Sequence, residues 1–111
     1  MMNKELLLPL FAFATTVMCA QTALATSGPG CFTIIGVGND DVLNIRFEPA
    51  AGSKLTGTMS PRDHGIIHSE GACTPKSVEP AQRWCPIIHY NGGGTTIGFV
   101  KRKFLEDSDC P

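Results

Sequence analysis

Residues 42–47 read Val-Leu-Asn-Ile-Arg-Phe, and this stretch carries the clearest structural signal in the chain. Its apolar residues Leu43, Ile45 and Phe47 fall on one side of an extended backbone, and the polar residues between them fall on the other. Successive side chains of a β-strand point to opposite faces, so this alternation predicts a strand with one buried face.

The remainder of the chain from residue 32 onward repeats this organisation. Short apolar runs alternate with clusters of Gly, Pro, Asn, Asp and Ser, which is typical of an all-β domain. No segment shows a convincing amphipathic helix, and residues 101–106 have room for at most one helical turn. The predicted strands are 32–37, 42–47, 55–59, 65–69, 84–90 and 95–100. Six short strands without a helix predict a small barrel or sandwich.

The N-terminus has the three parts of a secretory signal peptide. Lys4 supplies a charged start, residues 6–17 form an apolar run, and residues 23–25 read Ala-Leu-Ala, the small-x-small pattern that signal peptidase cleaves. The apolar run is shorter than the ~20 residues that a membrane-spanning helix needs. A lipid anchor on Cys19 is a weaker alternative, because the bulky Met18 stands where such signals have a small residue.

These features predict a cleaved signal peptide at 1–25, a flexible leader at 26–30 and one domain at 31–111. We therefore expect the mature protein to be periplasmic or secreted. Residues 1–25 contain one basic and one acidic side chain, so the domain keeps the net charge of −1 of the whole chain. That charge disfavours nucleic acid as a partner.

Loss of Cys19 with the signal peptide leaves four cysteines, an even number that indicates two disulfides in a small exported domain. Three pairings are possible. We favour Cys31–Cys110, which ties the two ends of the domain together, with Cys73–Cys85 as a local bridge. A zinc site is the weaker alternative because the chain has no Cys-x-x-Cys pair. We predict no metal and no cofactor.

Catalytic motifs are missing from the sequence. It contains no Gly-x-Ser-x-Gly elbow, His-Glu-x-x-His helix or phosphate-binding loop. His64 and His68 lie in a strand-like stretch, where residues four apart are separated by about 13 Å. His89 falls in a predicted strand with no obvious partner. We therefore expect a protein that is not an enzyme.

Two ordered sets of residues carry a family resemblance. The first reads DVLNIR at 41–46, then Pro49, then LTGTM at 55–59; the second reads WCPIIHYNG at 84–92, then GFV at 98–100 and FL at 104–105. In this order they resemble the LNVR-x-GP … VIGTL and W-x-x-V-x-Y-x-G … GWV … YL stretches of the bacterial SH3-like (SH3b) family. The resemblance implies an SH3-like barrel of five to six strands, closed by a short 3₁₀ turn near Phe104.

The resemblance also implies a ligand-binding groove. Residues 47–54 would form the loop on one side of it and residues 70–83 the loop on the other, with the Cys73–Cys85 bridge fastening the second loop. Arg46 is expected to brace the first loop through a hydrogen bond or ion pair. The candidate ligand-binding residues are Phe47, Glu48, Trp84, Tyr90 and Phe104.

The function implied by the resemblance is that of an exported, non-catalytic binding module. Its expected partner is cell-wall peptidoglycan, through peptide or glycan, or another envelope protein. The alternative is a small secreted inhibitor or effector that acts through its loops on an envelope or host protein.

Overall fold

The computed structural model describes residues 30–111, so the predicted signal peptide at 1–25 and most of the leader lie outside the described residues. Within this range seven β-strands and two short 3₁₀ turns alternate with loops. The strands are β1 Cys31–Ile34, β2 Leu43–Arg46, β3 Leu55–Met59, β4 Ile66–Ser69, β5 Trp84–Asn91, β6 Gly94–Lys101 and β7 Leu105–Ser108. The turns are Pro80–Gln82, before β5, and Arg102–Phe104, between β6 and β7. No helix in this part of the chain is long and apolar enough to cross a membrane.

All seven strands belong to one antiparallel sheet with the order β3-β2-β6-β5-β4-β1-β7. Its centre is the β5–β6 hairpin, paired continuously from Trp84↔Lys101 to Asn91↔Gly94. The hairpin turns at Gly92 and Gly93, where Gly92 has a φ of 62° that a side chain would disfavour. The all-β class is confirmed, and each of the six predicted strands overlaps an observed one, but the first, predicted at 32–37, ends at Ile34.

The prediction of a closed barrel with five to six strands is wrong. The sheet has seven strands, and its edge strands β3 and β7 do not pair with each other. The additional strand β7 runs along β1 from Ile34↔Leu105 to Cys31↔Ser108. Its sequence is Leu-Glu-Asp-Ser, which has no apolar alternation. This strand forms because it pairs with a strand that is distant in the sequence, and no local sequence pattern predicts it.

One apolar core lies on the inner face of the sheet. Each of the seven strands contributes to it, including both edge strands, so the unclosed sheet must curl around the core. The nine buried members are Phe32, Leu43, Ile45, Met59, Ile67, Cys85, Ile87, Val100 and Leu105. The predicted burial of Leu43 and Ile45 is confirmed. That of Phe47 is wrong, because β2 ends at Arg46 after a register shift and leaves the Phe47 side chain 57% exposed.

Both favoured disulfides are present. Cys31–Cys110 joins residues 79 apart in sequence and ties the chain after β7 to the start of β1. Cys73–Cys85 joins residues 12 apart and connects the 70–83 loop to β5. The Sγ of Cys85 lies in the core, since this residue is fully buried.

Candidate ligand-binding groove

A groove of about 450 Å³ lies beside the start of β5, and four parts of the chain line it. The β1–β2 loop contributes residues between Gly36 and Val42, β2 contributes Leu43, Asn44 and Arg46, and the 47–54 loop contributes Ala51. The fourth part consists of residues close to the β5–β6 pairing and the following 3₁₀ turn: Gln82, Trp84, Lys101, Lys103 and Phe104. The sheet thus brings residues up to 68 positions apart, from 36 to 104, into one concave surface.

A lysine ammonium group lies over each of the two aromatic rings that line this groove. Trp84 lies directly opposite Lys101 in the β5–β6 register, and the Lys101 Nζ sits 4.9 Å from the centre of the indole ring. The Lys103 Nζ sits 5.3 Å from the centre of the Phe104 ring. Both distances fall within the ~6 Å range of a cation–π interaction, which is worth about 0.5–1 kcal/mol at exposed sites.

Arg46 occupies the end of β2, where the chain leaves the sheet for the 47–54 loop. Its Nη1 donates a hydrogen bond of 2.9 Å to the carbonyl oxygen of Ser53. The same loop is closed by Phe47 N donating to Lys54 O at 2.9 Å and Glu48 N donating to Ser53 Oγ at 2.8 Å. The expectation that Arg46 braces this loop through a hydrogen bond is confirmed, and Arg46 is also a lining residue of the groove.

The β1–β2 loop, which the sequence did not suggest as part of a site, is held next to Phe104. Ile35 N donates to the carbonyl oxygen of Phe104 at 2.9 Å, and Gly36 then turns the chain with a φ of 69°. Asp41 N donates to Gly38 O at 3.0 Å. The Asp41 Oδ1 accepts the N–H of Val42 at 2.7 Å, so this carboxylate is engaged by the loop itself. The signal that could have indicated this loop is the Gly-rich stretch 36–38.

The 70–83 loop is fastened to β5 by several contacts. Beside the Cys73–Cys85 bridge, Thr74 and Trp84 exchange two backbone hydrogen bonds of 2.9 and 2.7 Å. The Arg83 guanidinium donates from Nε to Val78 O at 3.0 Å. Of this loop only Gln82 lines the groove, directly before the strand that carries Trp84.

The five candidate ligand-binding residues do not form one site. Trp84 and Phe104 line the groove together, and both are half-buried. Phe47 lines a separate apolar concavity of about 360 Å³ farther along the β5–β6 hairpin, with Pro86, Ile88 and Ile97 among its lining residues. Tyr90 lies far along β5, opposite Ile66 and Thr95, and Glu48 is exposed on its loop and lines neither concavity.

The lysines are the groove residues that sequence reasoning missed. Lys101 and Lys103 follow the GFV motif and precede Phe104, where a basic residue usually indicates a solvated surface. The antiparallel register between Trp84 and the end of β6 could have placed Lys101 beside the indole ring, but it depends on the length of the hairpin loop.

The histidines lie away from the groove. His89 is a buried polar residue of β5, and its Nε2 lies 2.6 Å from the carbonyl oxygen of His64. The His68 Nδ1 lies 2.7 Å from Glu70 Oε2 at an exposed position. Within residues 30–111 no cluster of three or more His, Cys, Asp or Glu side chains is arranged to hold a metal ion.

The groove offers ammonium and guanidinium groups, aromatic rings and the side-chain amides of Asn44 and Gln82. Such groups recognise ligands through charge-assisted and neutral hydrogen bonds.

Comparison of the chain with known proteins finds no matching family model, no matching curated protein and no matching solved structure.

Proposed function

We propose that this protein is an exported, non-catalytic binding module of the SH3b type. Its partner is cell-wall peptidoglycan, through peptide or glycan, or another envelope protein, which it takes into the groove beside Trp84. The observation that carries the proposal is the convergence of Trp84, Phe104 and Arg46 on one groove of about 450 Å³. Aromatic and arginine side chains are the residue types most enriched at binding hot spots.

Two features support the SH3b assignment. Most of the residues that carry the resemblance around 41–46 and 84–105 lie on β2, β5, β6 and the start of β7. The 3₁₀ turn Arg102–Phe104 lies between the last two strands, where the resemblance places such a turn. Because Asn44, Trp84 and Phe104 belong to the resembling segments and line the groove, they also support binding there.

Export is supported by the cysteine chemistry. Two disulfides in an 82-residue described region, 30–111, suit an oxidising compartment such as the periplasm or the cell exterior. The signal-peptide pattern before Ala25 would deliver the chain there.

Sedimentation with purified peptidoglycan tests the proposal. We expect the exported protein to pellet with peptidoglycan, and Trp84→Ala to lower the affinity by about tenfold or more, because truncating a central aromatic commonly costs about 2 kcal/mol. Tyr90→Ala is the matched control, since Tyr90 is 42% exposed and lies outside the groove. Absence of sedimentation, or an equal loss in both variants, would contradict peptidoglycan binding in this groove.

The second candidate function is that of a secreted inhibitor or effector acting through its loops. The observation that favours it is the firmly anchored 70–83 loop, which presents Val78 at 37% exposure. A rigid exposed loop loses little conformational entropy on binding another protein. Photo-crosslinking from position 78 in envelope or host extract, with position 93 of the β5–β6 hairpin as the control, would distinguish this function from peptidoglycan binding.

A further inference from the structure

We infer that the groove selects an acidic peptide, with peptide carboxylates held by Lys101 and Lys103. This inference rests on the proposed function, because it assumes that the same groove is the binding site, and it names the chemistry of the ligand. The side-chain amides of Asn44 and Gln82 are available in the lining to bond the peptide backbone.

The first argument is the local charge. Three cations, Arg46, Lys101 and Lys103, line the groove with a single carboxylate, that of Asp41. Over residues 30–111 the ion pairs are His68–Glu70 and Arg102–Asp107, so no groove cation is paired with a carboxylate within the described chain. The whole chain has a net charge of −1, and the groove is thus a positive region on a slightly acidic protein. Such a region attracts anionic ligands.

The second argument is the placement of the lysines on the rings. The Lys101 and Lys103 ammonium groups lie 4.9 and 5.3 Å from the centres of the Trp84 and Phe104 rings. A sugar ring could stack on the face that a lysine covers only by displacing the ammonium group. A carboxylate needs no displacement, because it can bond the outward N–H groups of an ammonium that the ring holds in place. Holding these flexible side chains beforehand lowers the entropic cost of binding.

The third argument concerns the type of anion. Arg46 already uses Nη1 for the carbonyl oxygen of Ser53, and the other two cations are lysines, which bind as point charges. Bidentate phosphate recognition favours a free arginine fork, so this set suits dispersed carboxylates better than a phosphate. Asn44 and Gln82 each supply a carbonyl oxygen and an NH₂ group, which match the acceptors and donors of a peptide backbone.

The test compares two blocked peptides, one with glutamates alternating with glycine and the same peptide with glutamine in their place. We expect titration calorimetry of the exported protein to give an affinity at least about tenfold higher for the glutamate peptide, and lower at about 200 mM than at about 50 mM salt. Backbone amide shifts in NMR spectra should centre on Trp84 and Lys101. The double variant Lys101→Gln, Lys103→Gln should lose the preference for glutamate.

Lys54→Gln is the matched control, because the Lys54 Nζ also covers an aromatic ring, that of Phe47 at 5.1 Å, outside the groove. It should keep the full glutamate preference. Equal affinity for the two peptides, or equal losses in the Lys54 variant and the double variant, would overturn the inference. Displacement of the glutamate peptide by an equal concentration of inorganic phosphate or of chitin oligosaccharide would overturn it as well.

Failure of this inference is distinguishable from failure of the proposed function. If the protein sediments with peptidoglycan in a Trp84-dependent manner but ignores the glutamate peptide, the acidic-peptide inference is overturned and the groove keeps its proposed role. A single cooperative unfolding transition, with a midpoint well above the temperature of the binding assay, would show that the lysine variants are folded, since the loss of cation–π contacts lowers the midpoint by only several degrees.

Discussion

At position 98 of β6, a Cβ atom would lie 2.5 Å from the carbonyl oxygen of Arg46 and 2.6 Å from Cγ2 of Ile45. β2 and β6 pair only at Arg46↔Phe99, so this close approach is where the β2–β3 hairpin joins the central hairpin of the sheet. We expect Gly98→Ala to lower the free energy of unfolding by about 1–3 kcal/mol, because backbone and a buried isoleucine would have to move. Urea unfolding followed by tryptophan fluorescence measures this change.

Gly93→Ala is the control for that substitution. A Cβ at position 93 meets no atom within 4 Å, and its φ is not in the left-handed region. The expected change is within about 0.5 kcal/mol. If both variants lost the same stability, the effect at position 98 would reflect the general cost of adding a side chain to this hairpin, and not the close approach of β2 to β6.

At the scale of the strands, the local sequence pattern predicts a strand where buried and exposed residues alternate. It does not predict a strand that forms only because of its pairing partner. Leu43 and Ile45 alternate with polar residues, and both are buried as that pattern predicts. The acidic β7 has no such pattern and is a strand only because it lies along β1. In the same way, Trp84 and Phe104 were identifiable as aromatic candidates. The facing β1–β2 loop and Lys101 depend on topology and register, which the sequence does not encode locally.

The Cys73–Cys85 bridge acts at this scale, because it fastens the loop that carries Gln82 to the strand that carries Trp84. We expect the double variant Cys73→Ala, Cys85→Ala to have a free energy of unfolding about 3 kcal/mol lower than that of the parent protein. Without the bridge the loop is no longer closed in the unfolded chain, which gains conformational entropy. It should also bind peptidoglycan more weakly, since the wall of the groove would no longer be held before binding. Urea unfolding and sedimentation measure the two effects.

The double variant Cys31→Ala, Cys110→Ala separates these effects. This bridge closes a sequence separation of 79 residues and lies outside the groove. Its loss should cost more stability, about 4.5 kcal/mol, and leave the affinity of the folded protein unchanged. An unaltered affinity in the Cys73 and Cys85 variant would show that the local bridge is purely structural.

At the scale of the whole molecule, a small curved sheet with one core relies on its bridges. Within residues 30–111 the core comprises nine buried apolar residues, and a domain of this size buries a smaller fraction of its surface than larger proteins do. The two loop-closure contributions are large beside a usual net stability of about 5–15 kcal/mol. Oxidation outside the reducing cytoplasm is therefore coupled to folding, and an unpaired thiol in the same chain would threaten both bridges by exchange.

That coupling gives a prediction for the fifth cysteine, Cys19, which lies outside the described residues and before the predicted cleavage after Ala25. Cleavage would remove the one thiol able to attack the bridges. The protein recovered from outside the cytoplasm should begin at Thr26, take up no iodoacetamide when denatured without reductant, and take up four equivalents after reduction, as two disulfides require. Intact-mass spectrometry measures both the start and the uptake. A mass that retains residues 1–25, with one equivalent taken up before reduction, would contradict signal-peptide removal and leave the bridges exposed to exchange.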